Sequence, residues 1–374
     1  MGSISQAINE MGLDLYNELN KKAADKNIFF SPMSISTGLV MVLLGARGNT
    51  ATQMQEVKTR FSKLLMAFFL IGLSHPVSYG GSDLWILTLI NDLYFTVQQY
   101  LECTKELYGA ILQTVDFKSA TEAARQTINS WVESKTQGKK AQVRLELFVR
   151  GVIDTTAVLV LVNAIYFKAT WEYKFEEKHT MPRDFRINQN ESKSVQMMYK
   201  KDRFKIAHIQ EINAQILMIP YAGKSLNMII LLPNDTTGLE QVERAMTYEK
   251  LTRWTSLESM RDREVKVYLP RFKLQDSFKL NLPLQEMGMI DVFKESNADL
   301  SGMAPSQKLF LSEVVHKAYV EVNEEGTLAA VATGSVASNS YISADLFKAD
   351  HPFLFFIQHN PTNTILFLGK LCSP

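Results

Sequence analysis

The side chains in this sequence that could catalyse a reaction or bind a metal are scattered rather than clustered. Six histidines occur, and no two of them have the i, i+2 or i, i+4 spacing at which one strand or helix presents a pair of metal ligands. They are His75, His179, His208, His316, His351 and His359. The GxGxxG, HExxH, GxSxG and Walker patterns do not occur either. We therefore expect no cofactor, no metal and no enzyme; the alternative is a catalytic triad whose members meet only in space.

Two basic clusters, YKKDRFK at 199–205 and KKAQVR at 139–144, could attract an anionic partner. Neither cluster interleaves basic and aromatic side chains in the way that is typical of nucleic-acid binding. Forty basic and thirty-nine acidic residues give a formal net charge of +1, so no overall field recruits nucleic acid or an anionic membrane. We interpret both clusters as solvated faces and expect no nucleic-acid partner and no membrane partner.

The sequence carries no pattern that predicts export or membrane insertion. Its first residues are polar and acidic where a secretory signal needs a basic start and a continuous apolar core. The longest apolar run, Leu64–Leu73, has about half of the ~20 residues of a membrane-spanning helix and predicts a buried helix instead. Cys103 and Cys372 favour free thiols in a reducing compartment over one long-range disulfide. We expect a cytoplasmic protein.

Helical and extended patterns together indicate one mixed α and β domain. Apolar residues at helical spacing predict a helix over 7–23, and Ser31–Pro32 opens a second helix. A third helix, over 121–139, closes at Gly138 as its C-cap. Apolar or alternating runs predict strands at 157–167, 226–233, 264–274, 317–322 and 365–371. No repeat or linker divides the chain, so we predict a single α+β domain over 1–374 with large antiparallel sheets.

A segment near the C-terminus has an unusual composition. From Gly326 to Ala344 it contains no charged residue and no proline, and it consists mostly of Ala, Ser, Thr, Gly and Val. Taken alone, this composition is that of a flexible linker between two strands. Its flanking residues favour another interpretation.

The start of this segment resembles the hinge of the reactive-centre loop in the serpins, the serine-protease-inhibitor-type proteins. The matching residues are Glu324, Glu325, Gly326, Thr327, Ala329, Ala330, Ala332 and Thr333. Further matches run through the whole chain: NIFFSPMSIS, LGARGNT, INSWVESKTQGK, LVNAIYFKATWE, SKSVQMM, LPRFKL, ADLSGM, ADHPFLFFI and TILFLGKLCSP. The sequence is similar to the ovalbumin-like, intracellular branch of the family.

The resemblance implies a serpin fold, with three β-sheets, about eight or nine helices and an exposed reactive-centre loop at about residues 324–347. It also implies a mechanism. A target serine protease cleaves the loop and forms an acyl-enzyme, and the cleaved loop then enters the central sheet as an extra strand. A strand that threads a narrow slot can carry neither proline nor charge, which explains the composition. Alternation places Thr327, Ala329, Val331 and Thr333 on the face that the resemblance makes the inward one.

Five residues outside the loop match positions with a role in the family. Four of them resemble the shutter that governs opening of the central sheet: Ser31, Ser34, Asn163 and His316. Polar groups buried in an apolar strand region must hydrogen-bond one another, at a cost of about 1 to 3 kcal/mol for each one left unpaired. Trp171 resembles the tryptophan at the breach, where the loop first enters, although a simple core aromatic is the alternative.

The sequence departs from the family pattern in a long segment, in the stretch KKAQVRLELFVRG and in the hinge. Residues 61–97 replace a longer segment that in other members holds helices and the approach to a central strand. In the hinge, Leu328 stands where the family usually has Glu, and Val331 stands where Ala is common. Both side chains would slow insertion of the loop and favour simple cleavage over inhibition.

The scissile bond is expected fourteen residues after Gly326, between Ser340 and Tyr341. The distance to the downstream Phe347 leaves Asn339 and Tyr341 as alternative recognition residues. A small serine predicts an elastase-like target protease, whereas a tyrosine predicts a chymotrypsin-like one.

The leading hypothesis is therefore a serine-type endopeptidase inhibitor that acts as a suicide substrate. We expect it to be monomeric, without a cofactor, and cytoplasmic, with unconventional release as a second location. The alternative is a non-inhibitory ovalbumin-like serpin with a storage, chaperone-like or binding role, which Leu328 and the atypical segment 61–97 motivate.

Overall fold

The computed structural model describes residues 2–56, 82–90, 98–108, 111–135, 155–256, 258–306, 308–326 and 344–374. The chain forms two compact units, and each is assembled from three segments. The first comprises Met1–Glu18, Ser31–Tyr166 and Gln275–Tyr319, and the second comprises Leu19–Phe30, Phe167–Leu274 and Val320–Pro374. The predicted helix over Leu64–Leu73 and the predicted C-cap Gly138 lie outside the described residues. A single domain over 1–374 stays a prediction.

Eight α-helices lie in the described residues. They are α1 (Gly2–Asn20), α2 (Pro32–Gly45), α3 (Gly48–Glu56), α4 (Gln98–Tyr108), α5 (Thr121–Lys135), α6 (Leu239–Ala245), α7 (Tyr248–Trp254) and α8 (Asn281–Glu286). The predicted helix α1 is confirmed, and it buries the predicted apolar residues Ile8, Met11, Leu15 and Leu19. Across the part of the chain that the structure describes, no helix is long and apolar enough to cross a membrane.

The start of α2 follows from its sequence. The Ser31 hydroxyl accepts a hydrogen bond from the Ser34 N–H (3.1 Å), which satisfies a donor that the first helical turn leaves unpaired. Pro32 occupies the first turn, where its missing N–H costs nothing. The predicted opening of this helix at Ser31–Pro32 is therefore confirmed.

Fourteen strands lie in the described residues. They are β1 (Ile28–Phe30), β2 (Ser82–Ile90), β3 (Ile111–Thr114), β4 (Leu159–Phe167), β5 (Met181–Arg186), β6 (Ser192–Ile209), β7 (Ala214–Pro220), β8 (Leu226–Pro233), β9 (Arg261–Pro270), β10 (Phe272–Lys279), β11 (Leu311–Val322), β12 (Asp345–Lys348), β13 (Phe353–His359) and β14 (Thr364–Leu371). One sheet has five strands in the order β10-β11-β4-β2-β3. In the other sheet, a path β1-β14-β13-β8-β7-β6-β9-β12 is joined by β5, which pairs with β6.

The five-stranded sheet contains the adjacent strands β4 and β11. Almost every residue of β4 is buried, as its continuous apolar run predicts. Tyr166 on β4 stacks on Tyr319 of β11, with ring centroids 5.3 Å apart. Strand β2 lies within the segment that departs from the family pattern, and it still pairs with β4 in this sheet.

One strand prediction was wrong. The sequence indicated a single strand over 264–274, whereas the structure has β9 in the nine-stranded sheet and β10 in the five-stranded sheet. Pro270 ends β9 because proline has no N–H to continue the ladder. The alternation of charged and apolar residues continues across this break, so the pattern alone does not locate it.

The long strand β6 explains why the three sheets implied by the resemblance are joined into two here. Its first part pairs with β5 and β9, and its last five residues pair with β7. Two groups of strands therefore share one continuous strand of 18 residues. The α+β fold class is confirmed.

Candidate functional site

The predicted hinge begins directly after β11 and is held by backbone hydrogen bonds. The Trp171 N–H donates to the Glu325 carbonyl and the Phe175 N–H donates to the Glu324 carbonyl, both at 2.9 Å. An isolated antiparallel bridge joins Thr170 to Gly326. The hinge is thus attached to the segment that follows β4 by a few backbone contacts.

Gly326 is required by its conformation and by its surroundings. Its φ of +120° lies where side chains are strongly disfavoured. A Cβ atom at this position would lie 2.5 Å from both the Ala169 carbonyl oxygen and the Trp171 nitrogen. Both are backbone atoms that cannot move aside cheaply, so no other residue fits the hinge in this conformation.

Glu324 is the buried charge of the hinge. Its carboxylate lies 2.6 Å from Nε of Arg271 and accepts a short hydrogen bond from the Thr180 hydroxyl. Arg271 also contacts Glu177, whose side chain is largely exposed. A buried carboxylate needs such partners, because removal of one leaves an uncompensated charge.

Glu325, the next residue, is held differently. Its carboxylate forms an ion pair with Lys174, and its own side chain is 41% exposed. Solvent screens a pair of this kind, so it contributes little. Neighbouring glutamates of the hinge therefore differ in environment: Glu324 is anchored in the interior, and Glu325 lies at the surface.

Trp171 contacts the residue just before the hinge and also belongs to an aromatic cluster. Its indole Nε1–H donates to the Asn323 carbonyl at 2.9 Å. Its ring stacks on Tyr221 with centroids 4.5 Å apart and meets Phe175 edge-on. These contacts fit both a core aromatic and a residue at the breach, and the breach role stays a prediction.

The structure brings the four predicted shutter residues together by hydrogen bonds. The Ser31 N–H donates to Nε2 of His316 (3.0 Å). The Nδ2 amide of Asn163 donates to the Ser34 carbonyl at 2.8 Å, and the Ser34 hydroxyl makes a short contact with Oδ1 of Asn163. The Asn163 Oδ1 lies 3.2 Å from His316 Nδ1, which bridges β4 and β11. Entry of a strand between β4 and β11 would have to break this bridge.

The protonation state of His316 follows from these contacts. Nε2 accepts from a backbone N–H, so the ring proton must be on Nδ1, where it can be donated to Asn163. Complete burial lowers the pKa of His316 from 6.5 to about 3, which keeps the imidazole neutral. A neutral ring is the form that completes the hydrogen-bond network.

Most of the predicted loop lies outside the described residues. This applies to the hinge residues Thr327, Ala329, Ala330, Ala332 and Thr333, to the scissile pair Ser340 and Tyr341, and to Leu328, Val331 and Asn339. Their assigned roles stay predictions. The chain is described again from Ala344, immediately before β12.

Sequence reasoning missed the partners that hold the two ends of the loop. Arg271 lies 53 positions before its partner Glu324, and no spacing rule connects them. At the other end, β12 pairs in parallel with β9, and Phe347 is completely buried. Asp350, buried two residues after β12, lies among three basic side chains: Lys348 and His351 are its near neighbours in sequence, and Arg186 ends β5. No spacing rule in the sequence connects Arg186 to Asp350.

Comparison with known proteins places this architecture in one family. The model of the serpin (serine protease inhibitor) family matches residues 6–374. The leukocyte elastase inhibitor of Sus scrofa is 44% identical over 393 residues, covering 100% of both chains. The chain belongs to the serpin family, and the resemblance is confirmed.

Two solved structures of ovalbumin are similar to this chain over their full length. Uncleaved ovalbumin matches with a TM-score of 0.88 at 37% identity, covering 100% of both chains. A cleaved, loop-inserted ovalbumin mutant matches with a TM-score of 0.86 at 35% identity and the same coverage. The serpin fold is therefore confirmed, and a similar chain occurs with its loop inserted.

Proposed function

We propose that this chain inhibits an elastase-like serine protease by acting as a suicide substrate. The observation that carries the proposal is the hinge: Glu324–Gly326 continues directly from β11, the neighbour of β4, and is held outside that sheet by a few contacts. A loop that starts there can extend the pairing of β11 once its far end is cut. The relative named leukocyte elastase inhibitor supports both the inhibitory activity and the protease class.

The chemistry belongs to the protease, and the inhibitor is not an enzyme. The protease serine attacks the carbonyl carbon of Ser340, the peptide bond to Tyr341 breaks, and the new amine leaves with Tyr341. The ester keeps the protease attached to the N-terminal part of the loop. About ten new ladder hydrogen bonds would release on the order of 10 kcal/mol as the loop inserts, which is enough to distort a bound enzyme.

The expected inserted strand must pass between β4 and β11. This requires the hydrogen bond between Asn163 and His316 to break. It also requires the stacked rings of Tyr166 and Tyr319 to move apart. We assign Ser31, Ser34, Asn163 and His316 to the shutter on this basis, and Trp171 to the breach through its bond to Asn323.

An adduct assay tests the proposal. The purified protein is incubated with pancreatic elastase and, separately, with chymotrypsin, and the products are separated on denaturing gels. We expect a covalent adduct with elastase and a cut after Ser340. A chain that is cleaved by both proteases without any adduct would contradict inhibition, and an adduct with chymotrypsin alone would move recognition to Tyr341.

Thr327→Arg supplies a matched test of insertion. A charged, bulky residue at the start of the inserting strand should convert the inhibitor into a plain substrate, because the charge has to be desolvated. Thr327→Ser, which keeps the size small, should retain the adduct. An adduct of undiminished yield with Thr327→Arg would contradict the insertion step.

The non-inhibitory alternative is not favoured, because the full-length relatives at 43–44% identity include leukocyte elastase inhibitors.

We also assign the protein to the cytoplasm, as a monomer without nucleic-acid or membrane partners. Cys103 and Cys372 are free thiols, and burial raises the pKa of the Cys372 thiol to about 11. Asn190 and Asn234 each begin an Asn-x-Ser/Thr sequon, so their N-glycosylation in the native protein would contradict this location. A dimer in size-exclusion chromatography would contradict the monomer.

A further inference from the structure

A cleft of about 1050 Å³ lies beside the hinge, within the second unit. Its volume is at the upper end of the range for sites that bind small molecules, which is about 300–1,000 Å³. It is lined by the segment 173–179, by β6, by β7 and the turn that follows it, and by Glu325 of the hinge. The mechanism proposed above makes no use of this space.

Four lining residues form the floor of the cleft, on one face of the sheet. Lys205 on β6 is the cross-strand partner of Met218 on β7, and Pro220, two residues further along β7, is the partner of Asn227 on β8. Cross-strand partners and alternate residues share a face, so these four side chains lie side by side. The middle of the floor is therefore apolar, with an ammonium group at one end and an amide at the other.

Tyr173 adds an aromatic surface to the cleft. Its side chain is 43% exposed, although most large apolar residues of the described chain are buried. The Nζ atoms of Lys200 and Lys224 lie 5.5 Å and 6.0 Å from the centroid of its ring. Ammonium groups at these distances are attracted to the electron-rich face of the ring. The cleft thus presents an accessible aromatic ring and positive charge next to each other.

Basic side chains outnumber acidic ones around the cleft. Lys200 is 13% exposed and pairs with Asp202 at 3.2 Å, whereas Lys224 is 63% exposed and pairs with Glu172 only at 3.6 Å. An exposed pair of this kind is weak and easily exchanged for another partner. Lys205 forms no ion pair with any residue that the structure describes. The lining residues are Lys174, Lys200, Lys201, Arg203, Lys205 and Lys224 on the basic side, and Glu176, Asp202, Asp262 and Glu325 on the acidic side.

We propose that this cleft binds a small planar organic anion. Its aromatic ring packs on Tyr173 and on the apolar middle of the floor, and its anionic group meets Lys224 and Lys205. A neutral ring would gain only the first contact, and an aliphatic anion only the second. The site does not rest on the proposed function, because it is complete in the uncleaved chain and needs no protease.

Glu325 links the cleft to the hinge. Its carboxylate lines the cleft and pairs with Lys174, so an anion that enters meets its negative charge. Removal of this charge should therefore strengthen binding. Because coupling between two equilibria is reciprocal, a bound anion should in turn weaken the ion pair that holds Glu325.

Calorimetric titration of the uncleaved protein with 2-naphthoate tests the proposal. Two matched probes separate the contacts: 2-naphthamide has the ring without the charge, and cyclohexanecarboxylate has the charge without the flat ring. We expect one naphthoate to bind per chain. Each of the other probes should bind about tenfold more weakly, because each lacks either the charge-assisted hydrogen bond or the aromatic contact.

Variants locate the binding. Tyr173→Ala and Lys224→Gln should each weaken naphthoate binding about tenfold, whereas Tyr173→Phe and Lys224→Arg, which keep the ring and the cation, should bind as the parent does. Glu325→Gln should strengthen binding about threefold, as expected for one partly screened charge. Lys279→Gln is the matched control, because this lysine is 53% exposed and pairs with Glu313, away from the cleft. It should leave the affinity unchanged.

The proposal is overturned if naphthoate does not bind in a one-to-one ratio at millimolar concentration, or if 2-naphthamide binds equally well. It is also overturned if Tyr173→Ala and Lys224→Gln bind naphthoate no more weakly than Lys279→Gln does, because the ligand then lies elsewhere on the chain. None of these results depends on whether the parent chain forms an adduct with a protease, so the site and the proposed function fail separately.

Discussion

The two ends of the reactive loop are held in opposite ways. The proximal end, Glu324–Gly326, depends on a few backbone hydrogen bonds, on an ion pair between the buried Glu324 and the partly exposed Arg271, and on a conformation that glycine alone can adopt. The distal end depends on a short parallel strand whose last residue contacts the buried Asp350. In the proposed mechanism the proximal end must leave these contacts when the loop enters the sheet, whereas the distal end lies beyond the cut and can stay in its own sheet.

The largest effect is expected from Gly326→Ala. Because its Cβ would lie 2.5 Å from two backbone atoms at a φ of +120°, the uncleaved protein should lose about 3 kcal/mol of its free energy of unfolding. An inserted hinge has extended backbone, so the cleaved protein should be unaffected. Denaturant titration of both forms measures the difference.

Gly223→Ala is the matched control for this prediction. Gly223 has a φ of +78°, but no atom of the described residues lies within 4 Å of the place that a Cβ would take, so strain is present without the clash. Its effect should be smaller and equal in the cleaved and uncleaved forms. Equal destabilisation of both forms by Gly326→Ala would contradict the claim that the hinge requires glycine only in the uncleaved protein.

Glu324→Gln should have the next largest effect. The substitution leaves Arg271 without the buried carboxylate, and we predict a loss of about 2 kcal/mol, reduced because Arg271 is 37% exposed. The uncleaved protein should unfold at lower urea concentration. Glu177→Gln removes the exposed partner of the same arginine and should stay within about 0.5 kcal/mol of the parent. Similar losses in both variants would show that burial of Glu324 contributes nothing.

Acidification should weaken the closed sheet through His316. Its folded pKa of about 3 lies below the unfolded value of 6.5, so the unfolded chain binds the extra proton between these values. The contribution of this histidine to stability is present above pH 6.5 and falls by about 1.4 kcal/mol per pH unit as the pH drops toward 3. Urea titrations between pH 7 and pH 4 measure the slope. His316→Gln should flatten it, and an unaltered slope in His316→Gln would contradict the assignment.

The smallest effect is expected from Glu325→Gln. Its ion pair with Lys174 is 41% exposed on the glutamate side, so the loss should be about 0.5 kcal/mol and should vanish in high salt. The same urea titration, repeated at two salt concentrations, checks this. A loss as large as that of Glu324→Gln would mean that surface charge, rather than the buried pair, holds the proximal end.

Local sequence signals predicted the elements better than the contacts between them. The spacing of Ile8, Met11, Leu15 and Leu19 predicted α1, and the continuous apolar run predicted β4, because each signal arises within the element itself. The break between β9 and β10 was missed because the alternation of side chains runs through Pro270.

The residues of the candidate site show the same contrast between local signals and distant contacts. Family motifs pointed to Ser31, Ser34, Asn163 and His316, and the structure brings these four residues into one hydrogen-bond network. The ion pairs of Glu324 with Arg271 and of Asp350 with Arg186 join residues far apart in sequence. No periodicity or spacing encodes such pairs, since they depend on how strands from different parts of the chain are arranged.

Hydrogen exchange before and after cleavage of the loop tests the central claim most directly. The account predicts that backbone amides of residues 327–340 gain strong protection once the loop is cut, while the amides of β12 keep the protection they have in the uncleaved protein. Amides of 327–340 that exchange equally fast in both forms would contradict insertion, and loss of protection in β12 on cleavage would contradict the fixed distal end.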